Sequence, residues 1–136
     1  IGSKSGTKTY GFVGNSIYQI DKILFSNTKN SLNKVFYIGD SPENNIEEWA
    51  NEIASEVGRK IIRLPFLIIK LGSYFGDFLK LIDVKFPLTS FRLKNMTTNN
   101  VIDLSDTYKI TKKNIYSRKE GVRKTIEWIT TNKNNS

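Results

Sequence analysis

The sequence predicts an α/β fold in which helices predominate. Apolar residues recur at helical spacing between Ile46 and Val57, which is typical of an amphipathic helix. The short run "VFYIG", residues 35–39, is rich in β-branched and aromatic residues, as buried strands are. The C-terminal segment opens with the capping-box sequence "SRKE" and continues with one apolar face. At 136 residues, of which 38% are hydrophobic, the chain is expected to form one domain.

The first predicted helix spans Val13 to Phe25. The segment "NTKNSLN", residues 27–33, is polar and breaks the helix. The predicted strand at 35–39 follows, and "DSPENN" ends it in a turn. The helix carries one apolar stripe, because four apolar residues recur three or four positions apart: Ile17, Ile20, Ile23 and Leu24.

The second predicted helix has the clearest boundaries. Asn45 is a suitable N-cap, Glu48 follows three residues later, and Gly58 ends the helix. Its opposite face is charged, which is typical of a solvated helix face rather than of a catalytic carboxylate pair. The apolar face consists of Ile46, Trp49, Ala50, Ile53, Ala54 and Val57.

A third helix is predicted from Phe66 to Ile82, after a possible short strand in "KIIRLP" (60–65). The apolar run nearly reaches the length of a membrane span, but it contains three charged residues, Lys70, Asp77 and Lys80. Each charge costs about 2.5–3.5 kcal/mol at bilayer depth, so the sequence favours a buried soluble helix and no membrane partner. The GxxxG match at Gly72 and Gly76 is a coincidence or a close-packing point.

The pattern is weaker after Pro87 and becomes clear again near the C-terminus. A short helix is expected around Phe91, followed by a polar loop and the brief segment "VIDL". The last helix begins at the capping box Ser117–Glu120, and residues 133–136 are expected to fray. Its apolar face holds Val122, Thr125, Ile126 and Ile129.

The composition excludes several kinds of active site. The chain has no His and no Cys, so imidazole bases, thiol nucleophiles and the commonest zinc ligands are missing. It also contains neither the phosphate-loop motif nor the dinucleotide glycine motif. Two Tyr-x-x-x-Lys matches occur, Tyr18 with Lys22 and Tyr108 with Lys112, where about 0.7 are expected by chance from the Tyr and Lys content, and neither follows a dinucleotide fold. We therefore assign no catalytic, cofactor-binding or metal-binding residue within this chain.

The net charge of +8 allows an anionic partner but does not identify it. The basic residues are mostly Lys and are spread along the chain, whereas nucleic-acid sites concentrate charge on one face with stacking aromatics. The charge distribution therefore disfavours nucleic acid as a partner. The alternative function is nevertheless a small basic, non-catalytic interaction module that binds nucleic acid or an acidic partner. An anionic small molecule is equally compatible with the charge.

Four segments together resemble a known family. In chain order they are "KTYGFVGNSIYQIDKIL", "NKVFYIGDSPENNIEEWANEIASEVGRKI", "SFRLKNMTTNNVIDLSDTYKI" and "YSRKEGVRKTIEWI", within residues 7–131. They look like the C-terminal third of the NAD-dependent epimerase/dehydratase family, the extended short-chain dehydrogenases. The resemblance implies a helix-rich substrate-binding lobe without its Rossmann domain. It also implies a strand-and-turn lead-in over residues 1–12 and a helix that begins near Asn15, with Asn15 as its N-cap.

The resemblance also implies the site and the chemistry. In this family the C-terminal lobe clamps the diphosphate of a nucleotide-linked sugar with basic residues. The matching positions here are Lys8, where many members have Arg, and Arg92, followed by Asn95 where many members have Asp. Tyr10 could also face the substrate. NAD or NADP, with the catalytic Tyr-x-x-x-Lys and the hydride transfer, would belong to the upstream Rossmann part, so this chain alone is expected to bind no cofactor and to be inactive.

The chain is expected to be a piece of a longer cytoplasmic protein. It opens on Ile1 and its only methionine is Met96, so a natural start would lie upstream. The segment 35–39 resembles the one that joins the Rossmann sheet, so without that domain it would expose a strand edge and the chain would self-associate. A family member that has lost catalysis and serves as a binding protein would look the same from this part of its sequence.

Overall fold

The computed structural model describes residues 4–26 and 33–134, and these residues are mostly helical with a small two-stranded sheet. The predicted helix-rich α/β fold is confirmed in this coarse form. Most of the predicted break at 27–33, and the last two residues of the predicted frayed tail, lie outside the described residues. The elements are β1 (Thr7–Lys8), α1 (Val13–Leu24), β2 (Asn44–Asn45), α2 (Ile46–Glu56), α3 (Phe66–Leu81), α4 (Ser90–Thr97), α5 (Ser105–Thr111) and α6 (Arg118–Asn134).

The small sheet joins three segments that are far apart in the chain. β1 pairs antiparallel with β2, with Lys8 opposite Asn44. Lys8 also forms an isolated parallel bridge with Asn100. The Thr9 amide donates to the Asn100 carbonyl oxygen, and the Asn100 amide donates to the Thr7 carbonyl oxygen, both at 2.9 Å. The backbone groups of β1 are thus paired on both sides, which holds the chain after α4 against residues 7–9.

Helices α2 and α6 pack against each other, and the predicted capping of both is confirmed. The Asn45 side chain accepts hydrogen bonds from the amides of Glu47 and Glu48 at the start of α2. At the start of α6, the Glu120 carboxylate accepts from the Ser117 amide at 2.7 Å, and the Ser117 hydroxyl accepts from the Glu120 amide at 3.3 Å. Arg118 links the two helices, because its guanidinium contacts two carboxylates of α2.

The predicted strand at 35–39 is wrong. These residues pair with no strand in the described part of the chain, and their polar groups bond elsewhere. The Tyr37 carbonyl oxygen accepts from the Thr107 hydroxyl at 2.7 Å, and Gly39 bonds the Gln19 side chain through both its N–H and its C=O. The predicted strand in residues 60–65 is also wrong, since that segment forms no ladder.

Helix α1 buries polar residues and exposes its apolar stripe. It begins at Val13 after Phe12, so the prediction of Asn15 as N-cap is wrong. The side chains of Asn15 and Gln19, on one face of this helix, are fully buried against the rest of the chain. The apolar residues on the other face are exposed, namely Ile17, Ile20 and Leu24. The physical reason is that nearby loop backbone groups need hydrogen-bond partners, which these two amide side chains supply.

Helix α3 is also more exposed than expected, so the prediction of a buried helix is wrong. Within this helix the buried residues are Ile69, Ser73 and Gly76, which face α4 and the segment leading into it. Across the described residues, no helix combines the length and the hydropathy that a membrane span needs. Gly76 is a close-packing point, because a Cβ there would overlap the Leu88 carbonyl oxygen and lie 2.7 Å from Phe86 Cδ1.

Helix α4 confirms the short helix expected around Phe91, with the Thr89 hydroxyl accepting from the Arg92 amide as its cap. Helix α5 was not predicted. Its sequence signal is Asp103, whose carboxylate accepts from the Ser105 amide at 2.9 Å. Such a short polar segment has no apolar periodicity, so the helix depends on Thr107 and Thr111, both buried against the rest of the chain.

Two glycines one turn apart on α3 provide a matched test of this packing. Gly76→Ala should lower the free energy of unfolding by about 1–3 kcal/mol, because the new methyl group forces the 86–88 segment to move. Gly72→Ala should not destabilise the chain and can add up to about 1 kcal/mol of helix propensity, since the nearest atom to its Cβ, Leu88 Cδ2, is 3.6 Å away. Urea denaturation of both variants measures the difference, and equal losses would contradict the close approach.

Candidate functional site

Two of the predicted site residues, Lys8 and Asn95, are in direct contact. Lys8 lies on β1 and Asn95 on α4, and the Lys8 ammonium donates a hydrogen bond to the Asn95 amide oxygen at 3.0 Å. The backbone explains why they meet. The Gly6 amide donates to the Met96 carbonyl oxygen at 2.8 Å, so the end of α4 lies directly beside the strand. The tertiary structure therefore joins residues that are 87 positions apart in the chain.

Lys8 is a buried residue without an ion pair in the described part of the chain. The residue is only 5% exposed, and no Asp or Glu of the described residues forms an ion pair with it. Among the described residues, the one side chain to which it hydrogen-bonds is the neutral amide of Asn95. Burying an ammonium group without an opposite charge costs free energy. The site therefore has a surplus positive charge that a bound anion would compensate.

Arg92 lies on the same helix as Asn95, one turn earlier. It is exposed, and its Nη1 donates to the Pro87 carbonyl oxygen at 2.7 Å. This contact uses part of the guanidinium fork and orients the rest, which leaves N–H donors for a further acceptor. Arg92 also lines a groove between α3 and α4 that contains Asp77, Lys80 and Lys85. Its position fits a bidentate contact with an anionic group at the α4 surface.

Tyr10 lies in a different environment from the other three predicted residues. Its ring contacts Trp49 at a centroid distance of 5.3 Å and a tilt of 42°. It lines an apolar cavity of about 490 Å³ between the start of α1, α2 and α6, which neither Lys8 nor Arg92 lines. The structure thus brings Lys8 and Asn95 together, sets Arg92 on the same helix, and places Tyr10 in a separate cavity.

The cavity has two charged residues on its lining, Asp40 and Arg118. Sequence reasoning did not single out Asp40, which is buried and accepts hydrogen bonds from the Phe12 amide at 3.0 Å and the Asn15 side-chain amide at 2.9 Å. Burial raises the pKa of Asp40 above its ordinary value, with these two hydrogen bonds opposing the shift. The one sequence signal for it is an acidic residue placed directly after a hydrophobic run, residues 35–39.

The two Tyr-x-x-x-Lys pairs have no catalytic geometry. The Tyr108 hydroxyl accepts from the Ser41 amide at 2.8 Å and donates to the Asn114 side chain, so it tethers two loops. Burial raises the pKa of Tyr108, which disfavours its use as a base. In the other pair, the Lys22 ammonium lies over the Tyr18 ring, 5.7 Å from its centroid. Neither pair adjoins a dinucleotide site in the described residues.

Comparison of the chain with protein-family models, with curated proteins and with solved structures gives no match. The resemblance to the epimerase/dehydratase family therefore stays a prediction from the sequence. By its fold, the described part of the chain is a mostly helical domain with a small two-stranded sheet. Its candidate site is a buried lysine beside an exposed arginine-bearing helix.

The carboxyl group of Asp40 should make the stability depend on pH. Because its pKa in the folded chain is raised above the ordinary value of 3.8, the protonated form favours folding. This contribution is complete below 3.8 and is lost as the pH rises through the folded-state pKa. Relative to Asp40→Asn, the wild type should therefore lose stability between acidic and neutral pH. Urea denaturation of both chains across that range measures this, and parallel pH profiles would contradict it.

Proposed function

We propose that this chain is the substrate-binding C-terminal part of an NAD(P)-dependent epimerase or dehydratase acting on a nucleotide-linked sugar. The observation that carries the proposal is the contact of Lys8, a buried residue with no ion pair in the described part of the chain, with Asn95. The family resemblance names the same residues, and that agreement between sequence and geometry supports the assignment. The role of the chain is to hold the substrate diphosphate, while the chemistry occurs elsewhere in the parent protein.

The physical case for a diphosphate is a match of charge and shape. Lys8 supplies a point charge, and the exposed guanidinium of Arg92 supplies planar donors for phosphate oxygens. Asn95 orients the lysine through its amide oxygen and keeps its own N–H donors for the ligand. Tyr10 is 41% exposed, so part of its surface stays accessible to a substrate that reaches the adjacent cavity. Anchoring the diphosphate fixes the position of the reacting sugar carbon.

A second set of observations supports a missing partner domain. The exposed stripe of α1 includes Val13, Ile17, Ile20 and Leu24, and Val35 and Tyr37 are exposed on the extended segment nearby in sequence. Contiguous apolar surface of this kind marks an interaction site. In the proposed parent protein it packs on the Rossmann domain, which holds NAD or NADP and the catalytic residues. This chain contains no dinucleotide glycine motif, so it supplies substrate contacts alone.

Titration with uridine diphosphate tests the anion site. Backbone and side-chain NMR signals of Lys8, Arg92 and Asn95 should shift on binding. Lys8→Met should weaken binding by about tenfold or more, because a hydrogen bond to a charged group is worth about 1.5–3 kcal/mol. The methionine replaces a buried stem of similar length, so the fold should be retained.

Lys94→Met is the matched control for this experiment. Lys94 is an exposed residue on α4 beside Asn95, so its removal lowers the net charge equally without disturbing the Lys8–Asn95 contact. If both variants weaken binding to the same extent, the effect is a general positive field rather than a site. Random-sequence DNA should bind no better than uridine diphosphate, and strong, salt-sensitive DNA binding would favour the basic interaction module instead.

A further inference from the structure

Helix α3 presents an apolar stripe to solvent that the proposed function does not use. The stripe follows the positions Leu67, Leu71, Tyr74, Phe78 and Leu81, separated by four, three, four and three residues. This alternation is the heptad spacing by which two helices pack along a common seam. All five side chains are more than half exposed, with Leu71 at 62% and Phe78 at 59%.

Three further residues widen the stripe on one side. Ile68, Phe75 and Ile82 recur every seven residues and are also more than half exposed. The opposite side of the helix is already occupied, because Ile69, Ser73 and Gly76 are buried against α4 and the segment before it. The helix is therefore fixed to its own domain by one face, and the other face is mostly exposed, with the Phe75 ring in edge contact with Phe86 at a centroid distance of 6.1 Å.

We propose that this α3 seam is a homodimer interface, in which the helices of two copies pair through these apolar residues. A two-fold contact needs a surface that complements itself, and a heptad seam does so because each copy supplies the same knobs and holes. The exposed fractions of the eight side chains correspond to on the order of 750 Å² of apolar surface per copy, using about 150 Å² for a large side chain. Interfaces of standard size bury about 800 Å² per partner, so the available area is sufficient.

The charges on α3 favour a protein partner over a lipid surface. Helices that lie on membranes carry a strongly basic polar face. α3 has only two lysines and one aspartate, Lys70, Lys80 and Asp77. The aspartate oxygen accepts a hydrogen bond from the Ser90 amide at 3.1 Å, so it is engaged within the domain. No charge lies on the five seam positions themselves, as pairing of two identical seams requires.

Sedimentation equilibrium of the chain, its L71E/F78E variant and a matched control tests this proposal. The wild type should dimerise, and L71E/F78E should raise the dimer dissociation constant by about 100-fold or more, because carboxylates would be buried at the seam. The control is I17E/L24E, which places the same charges on the α1 stripe at residues that are 63% and 72% exposed. This control should still dimerise. All substituted residues are exposed, and circular dichroism checks that each variant folds.

Other outcomes would overturn the proposal. A monomeric wild type, a dimer lost only in I17E/L24E, or a dimer retained in both variants would each exclude the α3 seam. A wild-type monomer that instead co-sediments with vesicles of mixed neutral and anionic phospholipid would identify a membrane surface as the partner. These results are separate from uridine diphosphate binding, since neither variant alters Lys8, Arg92 or Asn95.

The absence of native cysteine allows a second measurement of the same contact. Tyr74 lies at the centre of the seam, so a nitroxide attached to Tyr74→Cys should be close to its counterpart in either helix orientation. Paired helices lie about 8–10 Å apart, so the electron–electron distance between labels should be below roughly 25 Å. A label on Ile20→Cys should give a longer distance. Equal or longer distances for the Tyr74 label would contradict pairing through α3.

Discussion

The fold depends on the buried side-chain amide of Asn15. Its Nδ2 donates to the Asp40 carboxylate and to the Tyr116 carbonyl oxygen, and its Oδ1 accepts from the amides of Ile115 and Tyr116. One side chain thus uses both of its donors and both lone pairs of its acceptor to connect α1 with two distant loops. Gln19, one turn later, binds Gly39 in the same way. Because these amides satisfy buried backbone groups, α1 must turn its polar side inward.

This inward polar face of α1 accounts for the exposure of the apolar stripe on the same helix. The buried apolar residues of the described part are few, Ile69, Leu93, Leu104 and Val122 among them. The stripes of α1 and α3 are exposed instead. A domain that buries amides and exposes helix stripes is not organised around a large core of its own. The two stripes lie on different helices, and we propose different partners for them, an upstream domain for α1 and a second copy for α3.

In the candidate site, backbone pairing brings polar side chains together. Because β1 bonds to β2 on one side and to Asn100 on the other, Lys8 is held beside α4. The strand is only two residues long, yet it determines which side chains surround the lysine. Arg92 and Asn95 lie on neighbouring parts of the α4 surface, because residues three positions apart in a helix are neighbours. Lys8 and Asn95 bond directly, and Arg92 lies about one turn before Asn95 on the same helix.

Local sequence signals predicted five of the six helices in the described residues, and the caps of α2 and α6. Asn45, Ser117 and Glu120 act where the sequence predicts, because capping depends only on residues a few positions apart. The tertiary structure decided which helix faces are buried and which extended segments become strands. Residues 35–39 have the composition of a strand but find no ladder partner in the described chain, and the apolar stripe of α1 faces outward because Asn15 and Gln19 are needed inside. Likewise, the family resemblance in the sequence indicated Lys8 and Asn95 as site residues. Only the folded chain brings the Lys8 ammonium to 3.0 Å from the Asn95 amide oxygen, because a contact across 87 residues depends on the sheet that joins them.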